Sequence, residues 1–560
     1  MSEKAQRPEA SSGVPDYHTE AAGFRLEALA ATLQGSLETG LNACVECCDR
    51  HADDPERVAL VWESQDGRGG TLTFAELKDR TARFANFLHD QGVQPGEVVA
   101  GMLPRTPDLL VTILGTWRAG AVYQPLFTAF GPKAIEHRLG TSKARLVVTD
   151  AANRGKLDDI PGAPPVAIAG GPAAGPGDFD LSAELARRSP EFTPVLRRGD
   201  DLFMMLSTSG TTGLPKGVPV PLKALLSFRV YMTDAVDLRP ADRFWNIADP
   251  GWAYGLYYAV TGPLMLGHAT TFYDGPFTVE STYRLIEKLG ITNLAGSPTA
   301  FRLLISAGPA AARPVKSRLR AVSSAGEPLN PEVIRWFAAH LDAPINDHYG
   351  QTELGMVVCN HHALAHPVHA GSAGLAMPGF RVAVLDERNQ ELPPHQPGVL
   401  AVDIARSPLL WFSGYWQQPT PAIEGGYYRT GDVVELGDDG AITFVGRGDD
   451  IITSSGYRIG PFDVESALIE HAAVVEAAVI GKPDAERTEI VKAFVVLAAT
   501  HAPSEELAEE LRQYVKRRLS AHAYPREIAF VPALPKTPSG KLQRFMLRNQ
   551  EVAAARPASA

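Results

Sequence analysis

Helix and strand signatures alternate along the first four hundred residues of this 560-residue chain, and that alternation narrows the fold more than any other feature. Thr73-Phe74-Ala75-Glu76 has the spacing of a capping box. Phe74, Leu77, Phe84 and Leu88 then recur near the helical period, and Gly92 is placed to stop the helix. Val98-Val99-Ala100 reads as a strand, Leu109 to Trp117 as a helix and Arg145 to Thr149 as another strand. This order predicts a domain of parallel or mixed sheets flanked by helices, an α/β fold. Asp158 to Asp178, rich in Gly, Ala and Pro, reads as a surface connection around a short strand at Val166-Ala167-Ile168.

The chain is too long for one ordinary core, and its texture changes near Gly446. Ala441 to Val445 is a strand after the turn Asp438-Asp439-Gly440. Beyond it a shorter unit reads strand (Ile451-Ile452), helix (Val464 to His471), strand (Ala477 to Gly481), strand (Ala493 to Leu497), helix (Ser504 to Leu519) and strand (Ile528 to Val531). The expected organisation is an N-terminal extension over 1–40, a large α/β domain over 41–446, a connection at 447–450 and a small α+β domain over 451–560.

Composition excludes some partners. The net charge is -11, which argues against a broad nucleic-acid surface and against an anionic membrane patch. A phosphate ligand must then be held by local groups. The cysteines are Cys44, Cys47, Cys48 and Cys359; the CxxCC cluster lacks a second pair at zinc spacing, so free buried thiols in a reducing compartment are expected. Met1 to Glu20 is polar, without the basic start and apolar stretch of a signal peptide, and no run of about 18 apolar residues appears anywhere. A cytoplasmic protein is expected.

The chemistry begins where the apolar run Leu202 to Leu206 gives way to Ser207-Thr208-Ser209-Gly210-Thr211-Thr212-Gly213-Leu214-Pro215-Lys216-Gly217. Glycines let backbone amides approach an anion, the hydroxyls of Thr208, Ser209, Thr211 and Thr212 add donors, and Lys216 adds a positive charge. A short Gly/Ser loop alone is more often a plain turn, but this donor density suits a polyphosphate. The spacing is not the Walker pattern. Tyr349-Gly350-Gln351-Thr352-Glu353 joins a ring, two hydrogen-bonding side chains and a carboxylate. Glu353 suits Mg²⁺, a hard cation that bridges substrate phosphates, and Thr352 can donate to an α-phosphate; a lone Thr-Glu pair would equally cap a helix. Four histidines, His361, His362, His366 and His369, lie within nine residues of a Pro/Gly-containing loop and are read as solvated rather than metal-binding.

Five separated motifs then occur in a single order: Ser207 to Gly217, Tyr349 to Glu353, Tyr428-Arg429-Thr430-Gly431-Asp432, Gly446-Arg447-Gly448-Asp449-Asp450, and Pro538-Ser539-Gly540-Lys541. In this the chain resembles, from about residue 40 onward, the adenylate-forming superfamily of acyl-CoA synthetases, peptide-synthetase adenylation domains and firefly-type luciferases. The resemblance implies ATP, Mg²⁺ and CoA as cofactor and co-substrates. It implies nucleotide contacts from Thr208, Ser209, Gly210, Thr211, Thr212, Gly213 and Lys216. Further nucleotide contacts are implied from Gly326, Glu327 and Pro328 along the adenine, from Asp347, His348, Tyr349, Gly350, Gln351 and Thr352, and from Asp432 and Arg447 at the ribose. Glu353 would hold the metal. Lys541 would be the adenylation lysine on a small domain that is mobile about Asp449, and its acetylation by a lysine acetyltransferase, reversed by a deacetylase, would silence it. Gly251, Gly456 and Arg458 would face CoA.

Pro250-Gly251-Trp252-Ala253-Tyr254-Gly255 resembles the acyl-pocket segment of the acetyl- and medium-chain acyl-CoA synthetase branch. Trp252, Ala253, Tyr254, Ala325 and Gly350 then fall at acyl-pocket positions. Gly350 stands where acetate-specific relatives carry tryptophan, which predicts room for a longer acid, although Tyr254 could refill it. The reaction implied is AMP-forming ligation of a short- to medium-chain carboxylic acid to CoA. The alternative is an acyl-adenylating enzyme that serves a carrier protein or another acceptor. A serine hydrolase is disfavoured because no Gly-x-Ser-x-Gly elbow occurs.

Overall fold

The structure, a computed structural model, describes residues 13–208, 215–454, 457–484, 487–519, 523–536 and 542–555, with only the backbone of 457–458 and 552–555. Ser209, Gly210, Thr211, Thr212, Gly213, Gly456 and Lys541 lie outside the described residues, as does the side chain of Arg458.

The helix Phe74–Asp90 begins as the sequence requires. The Thr73 hydroxyl accepts from the Glu76 amide at 3.2 Å, and the Glu76 carboxylate accepts from the Thr73 amide at 2.9 Å. Its apolar face, including Phe74, Leu77, Phe84 and Leu88, is buried. Behind it lies a seven-stranded sheet in the order Phe179–Asp180, Val166–Ala169, Leu146–Asp150, Val98–Met102, Val122–Pro125, Leu202–Ser207 and Gly217–Pro221. All neighbours in it are parallel except the last pair, the hairpin whose connection is the Thr/Gly-rich loop.

A second sheet of eleven strands carries the site. Phe244–Asn246, Asn293–Gly296, Ala321–Ala325 and Ile345–Gln351 run parallel. The direction then reverses through Gly355–Cys359, and Ser372–Ala376, Ile442–Arg447, Tyr427–Leu436, Gly398–Asp403 and Val382–Leu385 continue antiparallel. The crevice at the carboxyl ends of parallel strands, where the order changes, is where open α/β sheets bind ligands. Here that crevice is the end of Ile345–Gln351. A three-stranded sheet of Thr270–Asp274, Val58–Ser64 and Gly69–Thr73 completes the large domain.

The small domain is built on Tyr457–Ile459, Ile452–Ser454, Thr488–Leu497 and Val474–Asp484, with Glu527–Phe530 pairing in parallel beside Thr488–Leu497. Helices Pro461–Ile469 and Glu505–Arg518 cover it, burying Val464, Leu468, Leu511 and Val515 against Val479, Val491 and Val495. Arg544 ties its last helix to Glu465 at 2.8 Å and Asp450 at 3.3 Å. Element edges differ from the sequence expectation by a few residues, as in Pro461–Ile469 against 464–471, because a proline at the first helical position is tolerated there.

Two expectations are refined. The histidine run is not uniformly solvated: His361 and His362 are buried, and His362 bridges the Val322 carbonyl at 2.9 Å and Asn346 at 3.2 Å. Beyond Gly355–Cys359 the chain stays buried through His362 and is exposed again at His369, which pairs with Asp439. Burial holds the His361 imidazole neutral, with a pKa lowered to about 3. Among the described residues no group of three or more His, Cys, Asp or Glu is arranged to hold a metal. The N-terminal segment is also more than an appendage from residue 13 onward. Tyr17 is buried, packs on His361 and donates to the Ala376 carbonyl at 2.8 Å. All four cysteines are free and buried.

Candidate active site

Three strands bring the motifs together. Asp432 lies within Tyr427–Leu436, beside Arg447 in register, and opposite the end of Ile345–Gln351. The Tyr349 hydroxyl donates to Asp432 Oδ2 at 2.5 Å, and Gln351 Nε2 donates to the same oxygen at 2.9 Å and to the Thr430 carbonyl at 3.0 Å. Tyr428 in turn donates to Gln351 Oε1 at 3.0 Å. This carboxylate is fixed from two sides before any ligand arrives, which lowers the ordering cost of binding. Arg447 is held at Asp449, 3.2 Å away, and its charge is reinforced by Asp432 and Asp449.

Glu353 is buried and accepts from the Tyr415 hydroxyl at 2.8 Å, while the Tyr257 hydroxyl donates to the Thr352 carbonyl at 2.9 Å. Lys216 lies over the Tyr415 ring at 4.6 Å, so the cation of the Thr/Gly-rich segment and the carboxylate of Glu353 meet on one tyrosine. The neck of that segment is closed by Thr208. Its amide donates to the Lys216 carbonyl at 2.9 Å, and its hydroxyl accepts from the Lys216 amide at 3.2 Å. Tyr415 is a residue that sequence reasoning missed. It sits in no motif, and only the fold brings it to Glu353.

Strand alternation divides Ile345–Gln351 into two faces. Asp347 faces the helical layer behind the sheet and accepts from the Leu329 and His348 amides, both at 3.1 Å. Burial raises its carboxyl to about 8, so it holds its proton at neutral pH. His348 points the other way. Its Nδ1 meets the Tyr231 hydroxyl at 2.9 Å, its Nε2 meets the Asn360 carbonyl at 3.2 Å, and burial pushes its pKa well below the usual imidazole range. Ala325, in register with His348, is on this face.

Of the acyl-pocket candidates, Tyr254 meets this face through Tyr231 and Tyr258, while Trp252 packs in a separate cluster. Ala253 and Tyr254 are partly buried at the start of a helical run, and the Tyr254 ring meets Tyr258 edge-on at 5.8 Å. The Tyr254 hydroxyl is buried beside the Tyr231 hydroxyl, and burial raises its pKa. Trp252 is clamped between Phe127 and Phe130, at 5.4 and 5.3 Å. Gly251 lies on the Phe127 backbone, where a Cβ would come within 2.9 Å of the Phe127 Cα.

Gly350 departs from the steric expectation. It sits at a register shift between the strands, and a Cβ there would lie 2.1 Å from the Gly355 carbonyl oxygen. The volume freed by the missing side chain is taken by the 355–356 backbone, so glycine at this position serves chain approach as well as pocket size. Gly326, in contrast, has φ +101° and nothing within 4 Å of a Cβ, an open wall beside Glu327 and Pro328. Thr299 and Arg302 hold Glu327, each at 3.0 Å.

Comparison with known proteins bears on this arrangement. Residues 48–416 match the AMP-binding enzyme family, and residues 463–541 match the AMP-binding enzyme C-terminal domain. The chain is 39% identical over 526 residues to an acetyl-coenzyme A synthetase of Bacillus subtilis, covering 91% of each. It is 35% identical over 501 residues to a 4-hydroxybutyrate–CoA ligase of Metallosphaera sedula, covering 88% of this chain and 87% of the relative. The crystal structure of an acyl-CoA synthetase from Brucella canis superposes with a TM-score of 0.79 at 63% identity, covering 97% of this chain and 100% of that one. No described helix is long and apolar enough to cross a membrane. The chain belongs to the AMP-binding enzyme family and is an AMP-forming acyl-CoA synthetase, a carboxylate–CoA ligase that consumes ATP and CoA.

Proposed function

We propose that the chain activates a short- to medium-chain carboxylic acid, with Asp432 on the ribose, Thr352 at the α-phosphate and Glu353 at Mg²⁺. The observation that carries this reading is the Asp432 carboxylate, buried and held by Tyr349 and Gln351 next to Arg447. A fixed carboxylate acceptor suits a vicinal diol, and Arg447 adds a donor at the same edge. The Gly326 to Pro328 segment offers the adenine an open backbone wall. The donors near Glu353 are hard oxygens, which fits Mg²⁺; when bound, the ion neutralises charge on the transferring phosphates.

In the first step a carboxylate oxygen of the acid attacks the α-phosphorus, and the bond to the pyrophosphate oxygen breaks. In the second, the CoA sulfur attacks the acyl carbon, the bond to the phosphate oxygen breaks, and AMP leaves. The chain's contribution is positioning and charge. Lys216 and the Thr/Gly-rich segment hold the polyphosphate, and Lys541 offsets charge building between the carboxylate and the α-phosphate. Gly251, Gly456 and Arg458 line the approach of CoA, and Asp449 is the pivot between the two steps. Trp252, Ala253, Tyr254 and Ala325 surround the acyl chain, whose length is limited by the Tyr254 ring, since the space beside Gly350 is filled by backbone. The residue divisions 41–446 and 451–560 are the two moving bodies. A cytoplasmic location suits the ATP and CoA supply, and acetylation of Lys541 would switch the first step off.

Lys541→Ala tests the division of labour. It is expected to lose most acyl-AMP formation, read as pyrophosphate release, while converting supplied acyl-AMP and CoA to thioester at a near-normal rate. Equal loss of both would refute the assignment. Activity on unbranched acids of increasing length, read as CoA-dependent AMP release, identifies the preferred acid.

A further inference from the structure

Asn330 occupies the N-cap of the helix Pro331–Leu341, yet its side chain makes no capping hydrogen bond. Asparagine at this position ordinarily accepts from the first-turn amides and stabilises the helix. Here both ends of the amide are engaged elsewhere. Oδ1 accepts from Arg302 Nη1 at 3.1 Å, and Nδ2 donates to Ser466 Oγ of the small domain at 2.9 Å. The side chain is only 2% exposed, so these bonds form out of water.

The chain of contacts continues into the nucleotide wall. Arg302 Nη2 donates to Glu327 Oε2 at 3.0 Å and to Thr299 Oγ1 at 2.8 Å, and Thr299 also donates to Glu327 at 3.0 Å. Glu327 is the centre of the Gly326-Glu327-Pro328 segment. The opposite side of the contact is equally organised. Glu465, one residue before Ser466, is buried, pairs with Arg544 and also feels the charge of Arg302, while Arg544 feels that of Glu327. At the rim Arg335 pairs with Glu470 at 3.2 Å. Two helices on different domains thus meet through polar side chains rather than an apolar seam.

We infer that Asn330 and Arg302 are positioning residues that link the orientation of the small domain to the adenine-side segment: Ser466 docks on Asn330, Asn330 orients Arg302, and Arg302 holds Glu327. The inference rests on the two-step reaction, in which the small domain must change orientation between half-reactions. In the docked arrangement Glu327 is braced. When the domain leaves, Asn330 Nδ2 loses its acceptor on Ser466, the side chain is no longer pinned, and its Oδ1 can turn from Arg302 to the first-turn amides of its own helix, which relaxes the brace. Nucleotide affinity and domain orientation then depend on each other, as linkage requires.

Ser466→Ala is the first test, because Ser466 is on the small domain and removing its hydroxyl leaves the large domain's own bonds intact. The expected result is a change of roughly three- to tenfold in the ratio of the two half-reaction rates, the worth of one net hydrogen bond. A parallel change is expected in the Kd of an ATP analogue, although Ser466 touches no nucleotide. Asn330→Ala should produce the same pair of changes, and the double variant should add nothing further, the signature of one shared contact. Thermal melting of each variant separates loss of fold from loss of coupling. An unchanged half-reaction ratio and an unchanged nucleotide Kd in a well-folded Ser466→Ala protein would overturn the inference, as would fully additive effects in the double variant. Absence of both half-reactions from the wild-type protein would count instead against the ligase reading.

Discussion

The two faces of the strand Ile345–Gln351 are made in different ways. Toward Asp432 the polar groups are linked: Tyr349, Gln351 and Tyr428 form one chain of hydrogen bonds ending on a single carboxylate. Toward the acyl side, rings dominate. Tyr231 and Tyr258 lie tilted against each other at 4.3 Å, Tyr254 meets Tyr258 edge-on, and the Tyr254 hydroxyl sits beside that of Tyr231. Nucleotide recognition is common to every turnover and tolerates rigid, prepaid geometry. The proposed acyl side is shaped by ring packing, where a single side chain changes volume. Specificity for the acid can therefore vary while the adenylating chemistry stays fixed.

The largest effect that would break this contrast is expected from Asp432→Ala. It removes the acceptor shared by Tyr349 and Gln351. A charged hydrogen bond is worth about 1.5–3 kcal/mol, so KM for ATP should rise by roughly ten- to a hundredfold. KM for the acid should move little. Steady-state kinetics with each substrate varied in turn decides this, and equal movement of both constants would show that the faces are not separable.

A smaller effect is expected on the other face. Tyr254→Ala should shift kcat/KM toward longer acids, by roughly fourfold per added carbon at about 0.8 kcal/mol per buried methylene, while KM for ATP holds. A flat profile across acids would transfer control of length to Trp252 or Ala325. Gly350→Trp is not the matching experiment, because its Cβ would meet the Gly355 carbonyl and disturb the strand pair before it filled the pocket.

The last effect is on stability rather than on turnover. Burial raises the Asp347 carboxyl from 3.8 to about 8. Between those values the folded protein keeps a proton that the unfolded chain has released. The unfolded state thus binds fewer protons, and stability contributed by this group is full below pH 4 and is lost as pH rises toward 8. Asp347→Asn removes the titration at the cost of one of the two amide contacts. Denaturant melts across this range should show a flatter pH slope for the variant than for wild type. Parallel slopes would mean that Asp347 is ionised in the folded protein.

The cluster proposed as the nucleotide side could be picked out in the sequence because its residues are close in the chain. Tyr349, Gln351, Thr352 and Glu353 span five positions, and a strand end presents such a run to one crevice whatever surrounds it. The capping box at Thr73 and the buried thiols at Cys44, Cys47 and Cys48 were readable for the same reason, since local geometry and apolarity act over a few residues. The histidines were misread because burial is not local: nothing in the Pro/Gly-rich texture around His361 reports that the chain is buried there and packs against Tyr17.

The sequence by itself determined the alternating α/β layers and the family of the chain, because these depend on periodicity and on motifs whose members are near neighbours. Only the tertiary structure decided that Tyr415 joins Lys216 to Glu353, that the backbone of 355–356 fills the space beside Gly350, and that Asn330 gives up its own helix cap to reach Ser466. Each of these pairs residues far apart in the chain or sets a strand register. Such contacts are chosen by the packing of the whole domain, against local preference where necessary.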